Sequence, residues 1–194
     1  MKIIGFVYND ELGVTGDGLR VTGDEKQKAD GEWKMVLKGD SCMLNNRKPF
    51  FVPDWTEETC VTECIVLRVS RLGKEIARKF AGRYYDAIAY GADFTAMDIL
   101  REAQAKGEPW TRAIAFDYSL AIGKWREVND GCRMTDGEWL MSPEEAIMEA
   151  SKVMTIRQGD LIYIQRACPP RPVQKGEIIR VETNGEEELY CRVV

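Results

Sequence analysis

The sequence predicts a single, mainly β domain of the α+β class. Three observations carry that reading: strand-like apolar runs outnumber helical ones, the helical patterns are short, and strands and helices do not alternate as βαβ units would require. A length of 194 residues fits one domain. A chain of that size buries about 70% of its unfolded surface and needs no disulfide staple. With 44% hydrophobic and 30% charged residues, it reads as an ordinary globular chain rather than a disordered or coiled-coil one.

Each element has a local reason. Lys2 to Val7 is an apolar run bounded by a polar stretch, and predicts a buried strand. Residues 9–31 are rich in Gly, Asp and Thr, lack any phosphate-loop spacing, and suggest a turn around Leu19 to Val21. Strands are expected at Trp33 to Lys38, Pro49 to Val52 and Val61 to Ser70. In the last of these, period two puts Thr62, Cys64, Val66 and Arg68 on one face and Glu63, Ile65, Leu67 and Val69 on the other. A short helix is expected at Lys74 to Phe80, then a strand at Tyr84 to Ala92 ending in Asp93. Thr95 reads as the N-cap of a helix over Ala96 to Lys106, stopped by Gly107 and Pro109. Ala113 to Ile122 looks strand-like, and Met134 to Met141 resembles a hairpin arm. Ser142, Pro143 and Glu145 form a capping box that opens a helix to about Val153. Strands follow at Asp160 to Arg166, Ile178 to Thr183 and Leu189 to Val194, with Asn184-Gly185 as a type I′ turn.

Composition also removes functions. Twenty-seven basic against 32 acidic residues give a net charge of −5, which offers no footprint for phosphate backbones, so no nucleic acid is expected. No apolar run approaches the length of a membrane span, and no membrane partner is expected. There is no histidine, so Ser-His and Cys-His mechanisms are excluded. Six scattered cysteines and an N-terminal apolar stretch too short for a secretory signal point to a cytoplasmic protein with reduced thiols.

The residues themselves give few chemical constellations. Cys60 and Cys64 share a strand face but stand about 13 Å apart at roughly 3.3 Å per residue, too far for one metal. Asp93 and Asp98 are explained in part by capping, and Glu144 and Glu145 by the helix macrodipole. Arg83, Tyr84 and Tyr85 mark a helix-to-strand junction, and the prolines around Arg171 a stiff loop.

Several motifs in order carry a resemblance. They are Leu37-Lys38-Gly39-Asp40, Lys48-Pro49-Phe50-Phe51-Val52-Pro53, Tyr84-Tyr85-Asp86, Asp93-Phe94-Thr95-Ala96-Met97-Asp98, Gly107-Glu108-Pro109-Trp110, Ala115-Phe116-Asp117, Gly159-Asp160-Leu161-Ile162 and Gly176-Glu177. Through them, residues 36–181 resemble the fumarylacetoacetate hydrolase family in its compact single-domain form. The resemblance implies a β-roll core over 36–194 with a few short helices, and a divergent strand with a loop or lid over 1–35. It also implies a magnesium or calcium ion held by a Glu-x-Glu strand pair and an aspartate, for cleaving, decarboxylating or isomerising small 2-oxo or β-diketo acids.

Ungapped placement puts Thr62 and Cys64 where the two glutamates stand and leaves Asp93 as the one retained metal-ligand type. Glu63 points to the other face unless a bulge shifts the strand. The histidine-containing base pair has no counterpart, Ile114 replaces a lysine, Met97 an arginine and Leu100 a polar residue. Ile164-Gln165-Arg166-Ala167 stands where the family has Thr-Gly-Thr-Pro, and Lys38 survives. The expectation is therefore no tight metal site, no bound cofactor, and a non-catalytic binding or partner protein, forming a homodimer or a heteromer with an active relative. The alternative is a rewired hydrolase or isomerase in which Lys38, Arg166 and Gln165 bind a small carboxylate and Cys64 or Asp93 acts on it. A cofactor-free scaffold is the third reading.

Overall fold

Long strands buried on both faces organise the molecule around one sheet. The computed structural model describes residues 1–8, 33–128 and 139–194. Its strands are β1 (Ile3–Tyr8), β2 (Trp33–Lys38), β3 (Met43–Asn45), β4 (Thr59–Val69), β5 (Tyr85–Ala96), β6 (Leu120–Ile122), β7 (Arg126–Glu127), β8 (Leu161–Gln165), β9 (Arg171–Pro172), β10 (Ile178–Thr183) and β11 (Glu186–Arg192). The helices are α1 (Arg78–Ala81), α2 (Met97–Lys106), α3 (Thr111–Ile114) and α4 (Pro143–Val153). This is the mainly β architecture expected from the strand-rich sequence. Among the described residues, no helix is long and apolar enough to cross a membrane.

The main sheet is mixed, ordered β2-β1-β8-β4-β5-β6-β3, with β7 on β5 and β9 on β4. The β1–β8 and β3–β6 pairs are parallel and the others antiparallel. The hairpin β10–β11 forms a separate two-stranded sheet. Its turn residues Asn184 and Gly185 both take positive φ, as a type I′ turn demands.

Period two sorts the core onto the two faces of the sheet. One face buries Ile4, Phe6, Val61, Ile65, Leu67, Phe94 and Ile162 against Ala146, Ile147 and Ala150 of α4. The other buries Ile3, Val7, Cys64, Val66, Leu120, Ile122 and Tyr163 against Ala113 and Ile114 of α3. Each fully buried large aliphatic or aromatic side chain contributes about 1.5–3 kcal/mol. The start of β1 is pinned by Lys2, which pairs with the buried Asp160. Burial alone would raise that carboxyl, but hydrogen bonds from Lys2 and from the Arg157 backbone hold it below the usual range.

Tertiary bonds override several local expectations. The Lys74 to Phe80 helix shrinks to Arg78–Ala81, because Glu75 takes φ 52° and the Glu75 and Ile76 N–H groups donate to Ser151 rather than along a helix. The start of the Ala113 to Ile122 stretch is helical in α3; Tyr118 then turns the chain at φ 62° into β6. Pro49 to Val52 is extended but gives only a bridge from Phe50 to Val193, since prolines flank it and supply no donors. Thr95 lies inside β5 and does not cap α2. Its N-cap is Ala96, and the Asp98 carboxylate accepts from Thr56 and the Glu57 N–H instead. Gly107 closes α2 at φ 68° and the Ser142 capping box forms as expected. Leu19 to Val21, the lid reading and most of Met134 to Met141 lie outside the described residues; Trp139 bridges Arg166 and Met141 is buried.

Gly5 sits on β1 where an added Cβ would lie 2.2 Å from the Tyr163 ring, whereas one at Gly39 would meet nothing within 4 Å. Gly5→Ala is therefore expected to lower stability by about 1–3 kcal/mol through overpacking. Gly39→Ala should leave the midpoint nearly unchanged. Thermal melts of both variants check the contrast.

Candidate functional site

The strand β5 runs further than the sequence suggests, through Ala96, so Asp93 lies inside the sheet rather than at a strand end. It stands opposite Thr62 of β4 and Leu120 of β6. Cys64, two residues along β4, stands opposite Gly91 on one side and Gln165 of β8 on the other. The β4–β5 register is unbroken from Thr59 to Arg68, so no bulge shifts Glu63 inward. Thr62, Cys64, Asp93 and Gln165 thus share one face. Gly91 is required there, since a Cβ would lie 2.8 Å from the Cys64 sulfur and 2.9 Å from the Ala121 carbonyl oxygen.

At the edge of the sheet, the end of β2 sends Lys38 across this face. Its ammonium donates to Asp93 Oδ1 at 2.6 Å, to Ser119 Oγ at 2.9 Å and to the Ser119 carbonyl at 3.2 Å. An ammonium has three N–H donors, and all three are used. The other carboxylate oxygen, Asp93 Oδ2, accepts from Gln165 Nε2 at 2.8 Å. Gln165 Oε1 in turn accepts the Tyr8 N–H at 2.8 Å, and Ser119 Oγ donates to the Ile114 carbonyl at 3.0 Å. The Lys38 and Asp93 side chains are 0% and 2% exposed. The result is a closed, buried network around a single carboxylate.

The remaining polar neighbours are poor reactive groups. Burial, with the Asp93 charge adding to it and Lys38 opposing, holds the Cys64 thiol far above its ordinary range. Tyr163 is also fully buried; burial and the Asp93 charge raise its phenol, and its hydroxyl makes no hydrogen bond among the described residues. Cys60, four residues before Cys64, is raised to about 12 by burial and by Glu58, whose carboxylate accepts its S–H at 3.7 Å.

The expected substrate-binding residues therefore separate. Lys38 and Gln165 meet on Asp93. Arg166, the next residue after Gln165, points to the opposite face as strand alternation requires. There it lies 3.4 Å from Glu63 and packs over Trp139 at 5.5 Å. Lys38 and Arg166 cannot clamp one carboxylate. Ser119, absent from the sequence reading, completes the Lys38 shell. The only local hint of its placement is the turn after Phe116-Asp117.

For a divalent cation, this face offers one carboxylate with both oxygens engaged, the Thr62 hydroxyl and a protonated thiol. Magnesium and calcium want several oxygen ligands with matching negative charge, and this set does not fit them. Among the described residues, no group of three or more His, Cys, Asp or Glu is placed to hold a metal.

Known proteins with related sequences and folds frame this geometry. The chain is 25% identical over 183 residues to the mitochondrial oxaloacetate tautomerase of Bos taurus, covering 85% of this chain and 82% of the relative. It is 26% identical over 176 residues to the Mus musculus counterpart, covering 82% and 80%. Among solved structures, fumarylpyruvate hydrolase from Pseudomonas aeruginosa in complex with Mn2+ and pyruvate superposes with a TM-score of 0.72 at 17% identity, over 100% of this chain and 88% of that one. The 5-carboxymethyl-2-hydroxymuconate delta-isomerase from Mycobacterium smegmatis also gives 0.72, at 19% identity over 100% and 78%. The sequence model for the fumarylacetoacetate (FAA) hydrolase C-terminal family matches residues 6–194, and the chain belongs to that family.

Proposed function

We propose that this protein keeps the hydrolase and isomerase fold of its family but does not run metal-dependent keto-acid chemistry on the Asp93 face, and works as a binding or partner protein. The observation that carries this reading is that Asp93 is neutralised and that each of its carboxylate oxygens already accepts a hydrogen bond. Lys38 supplies the positive charge and Gln165 the second hydrogen bond. Gln165 stands where the resemblance places a glycine, so a side chain fills space that the family pattern leaves open.

The rewired-enzyme alternative finds less support. A nucleophilic cysteine needs a lowered pKa and access, and Cys64 has neither. Lys38 has no donor left for a substrate carboxylate. A role in homodimers, or in heteromers with an active relative, belongs to the same reading and is checked by light scattering of the protein alone and mixed with that relative.

Titration calorimetry with magnesium or manganese is expected to give no micromolar binding. Micromolar binding abolished by Asp93→Ala would overturn the reading, as would turnover of oxaloacetate or an acylpyruvate with added metal. Lys38→Met should destabilise the fold by about 3–5 kcal/mol, because a buried carboxylate loses its counter-charge. Adding Asp93→Asn to that variant should recover much of the loss, measured by urea unfolding. Under native conditions, iodoacetamide is expected to leave Cys64 unmodified in peptide mass maps, with alkylation only after denaturation.

A further inference from the structure

The connection between β4 and β5 combines charge and apolar exposure in a way that the core of the fold does not explain. Its ends are tied together by the Ser70 N–H donating to the Tyr84 carbonyl at 2.9 Å. Between them, Arg71 to Arg83 contains five cations and one acid, leaving it four positive on a chain of net charge −5. Arg71, Lys74, Arg78, Lys79 and Arg83 are all exposed. The segment lies against the end of α4: Gly73 bridges Ile156, Lys74 donates to the Lys152 carbonyl, and the Glu75 N–H donates to the Ser151 carbonyl. Exposed Lys152 and Arg157 extend the basic surface there.

Three of these cations have structural partners. Lys74 caps α4, Arg78 pairs with Glu145 and Lys152 with Glu149. Among the described residues, Arg71, Lys79, Arg83 and Arg157 make no ion pair, unlike Arg78 and Lys152. Lys79 and Arg83 instead lie over the Phe80 ring, at 4.9 and 5.3 Å from its centre. Phe80 is 43% exposed, and the face also carries Leu72 at 70% and Val153 at 62%.

We propose that this face, formed by the β4–β5 connection and the C-terminal end of α4, docks peripherally on an anionic lipid bilayer. Charge complementarity selects an anionic partner, since unpaired cations cluster here on an otherwise acidic protein. The apolar tips select a bilayer over a protein. Leu72, Phe80 and Val153 come from a loop, a short helix and a helix end, each beside a cation. Protein interfaces bury a contiguous apolar centre, whereas headgroup and acyl boundaries accept separate side chains with Lys and Arg at the phosphate level. Such docking involves no membrane span. It revises the expectation of no membrane partner and is independent of the Asp93 reading.

Flotation of the full chain with vesicles tests this. Vesicles containing phosphatidylglycerol in phosphatidylcholine should carry the protein at low salt, and phosphatidylcholine alone should not. Molar salt, where screening falls to about 3 Å, should release it. Lys79→Glu with Arg83→Glu should weaken partitioning by about tenfold or more, as expected from roughly 1 kcal/mol per cation at an anionic surface. Leu72→Ser with Phe80→Ser should also weaken it, while Lys175→Glu in the turn before β10 should not; circular dichroism and melts confirm that these surface variants fold. Absence of flotation, equal flotation of the charge-reversed variant, or binding to an alternating Glu-Leu peptide without binding to vesicles would overturn the proposal.

Discussion

A carboxylate enclosed in the middle of a sheet must be neutralised by something, and in this protein Lys38 does it. The Asp93–Lys38 pair joins β5 to β2 across the intervening strands, and the two Ser119 contacts fix the start of β6 to the same ammonium. Taking two charges out of water costs several kcal/mol per ion, which the pair offsets through its own attraction and through the hydrogen bonds that fill the Lys38 ammonium and meet both Asp93 oxygens. The packing of this face follows from that requirement. Gly91 leaves room for Cys64, and Gly5 leaves room for the Tyr163 ring that roofs the network. Each carboxylate oxygen of Asp93 meets a donor from within this face.

The fold that this chain shares with its family does not depend on the groups at the Asp93 face. The sheet order and the hairpin can persist while the groups at the site change, because the core contacts that maintain them lie mostly on other residues. On the reading proposed above, Thr62 and Cys64 bring no negative charge to this face, so a dication would be under-compensated there, and Lys38 is the counter-ion of Asp93. Glu63 stays out of this exchange because strand alternation turns it toward Arg166.

Much of the fold was legible because its signals are local. Period two in β4 placed Thr62 and Cys64 on one face, Asn184-Gly185 marked the hairpin, and Ser142-Pro143 with Glu145 marked the start of α4. The start of α1 and the existence of α3 were not legible, since hydrogen bonds to Ser151 delay α1 and α3 stands where the pattern reads as strand. Lys38, Asp93 and Gln165 were each singled out, but as separate roles in a family pattern. Their meeting is set by the lateral order of β2, β1, β8, β4 and β5, with contacts 55 and 72 residues apart in sequence. Gln165 and Arg166 were grouped as one substrate loop. The alternation of β8 divides them between opposite faces.

The internal balance of the Asp93 charge is tested most directly by a high-resolution crystal structure grown with excess manganese and phased for its anomalous signal. The account predicts no manganese peak at Asp93, with the Lys38 Nζ still hydrogen-bonded to Oδ1 and Gln165 to Oδ2. A manganese ion ligated by Asp93, with Lys38 swung away and Thr62 or a rearranged Glu63 completing its shell, would contradict it.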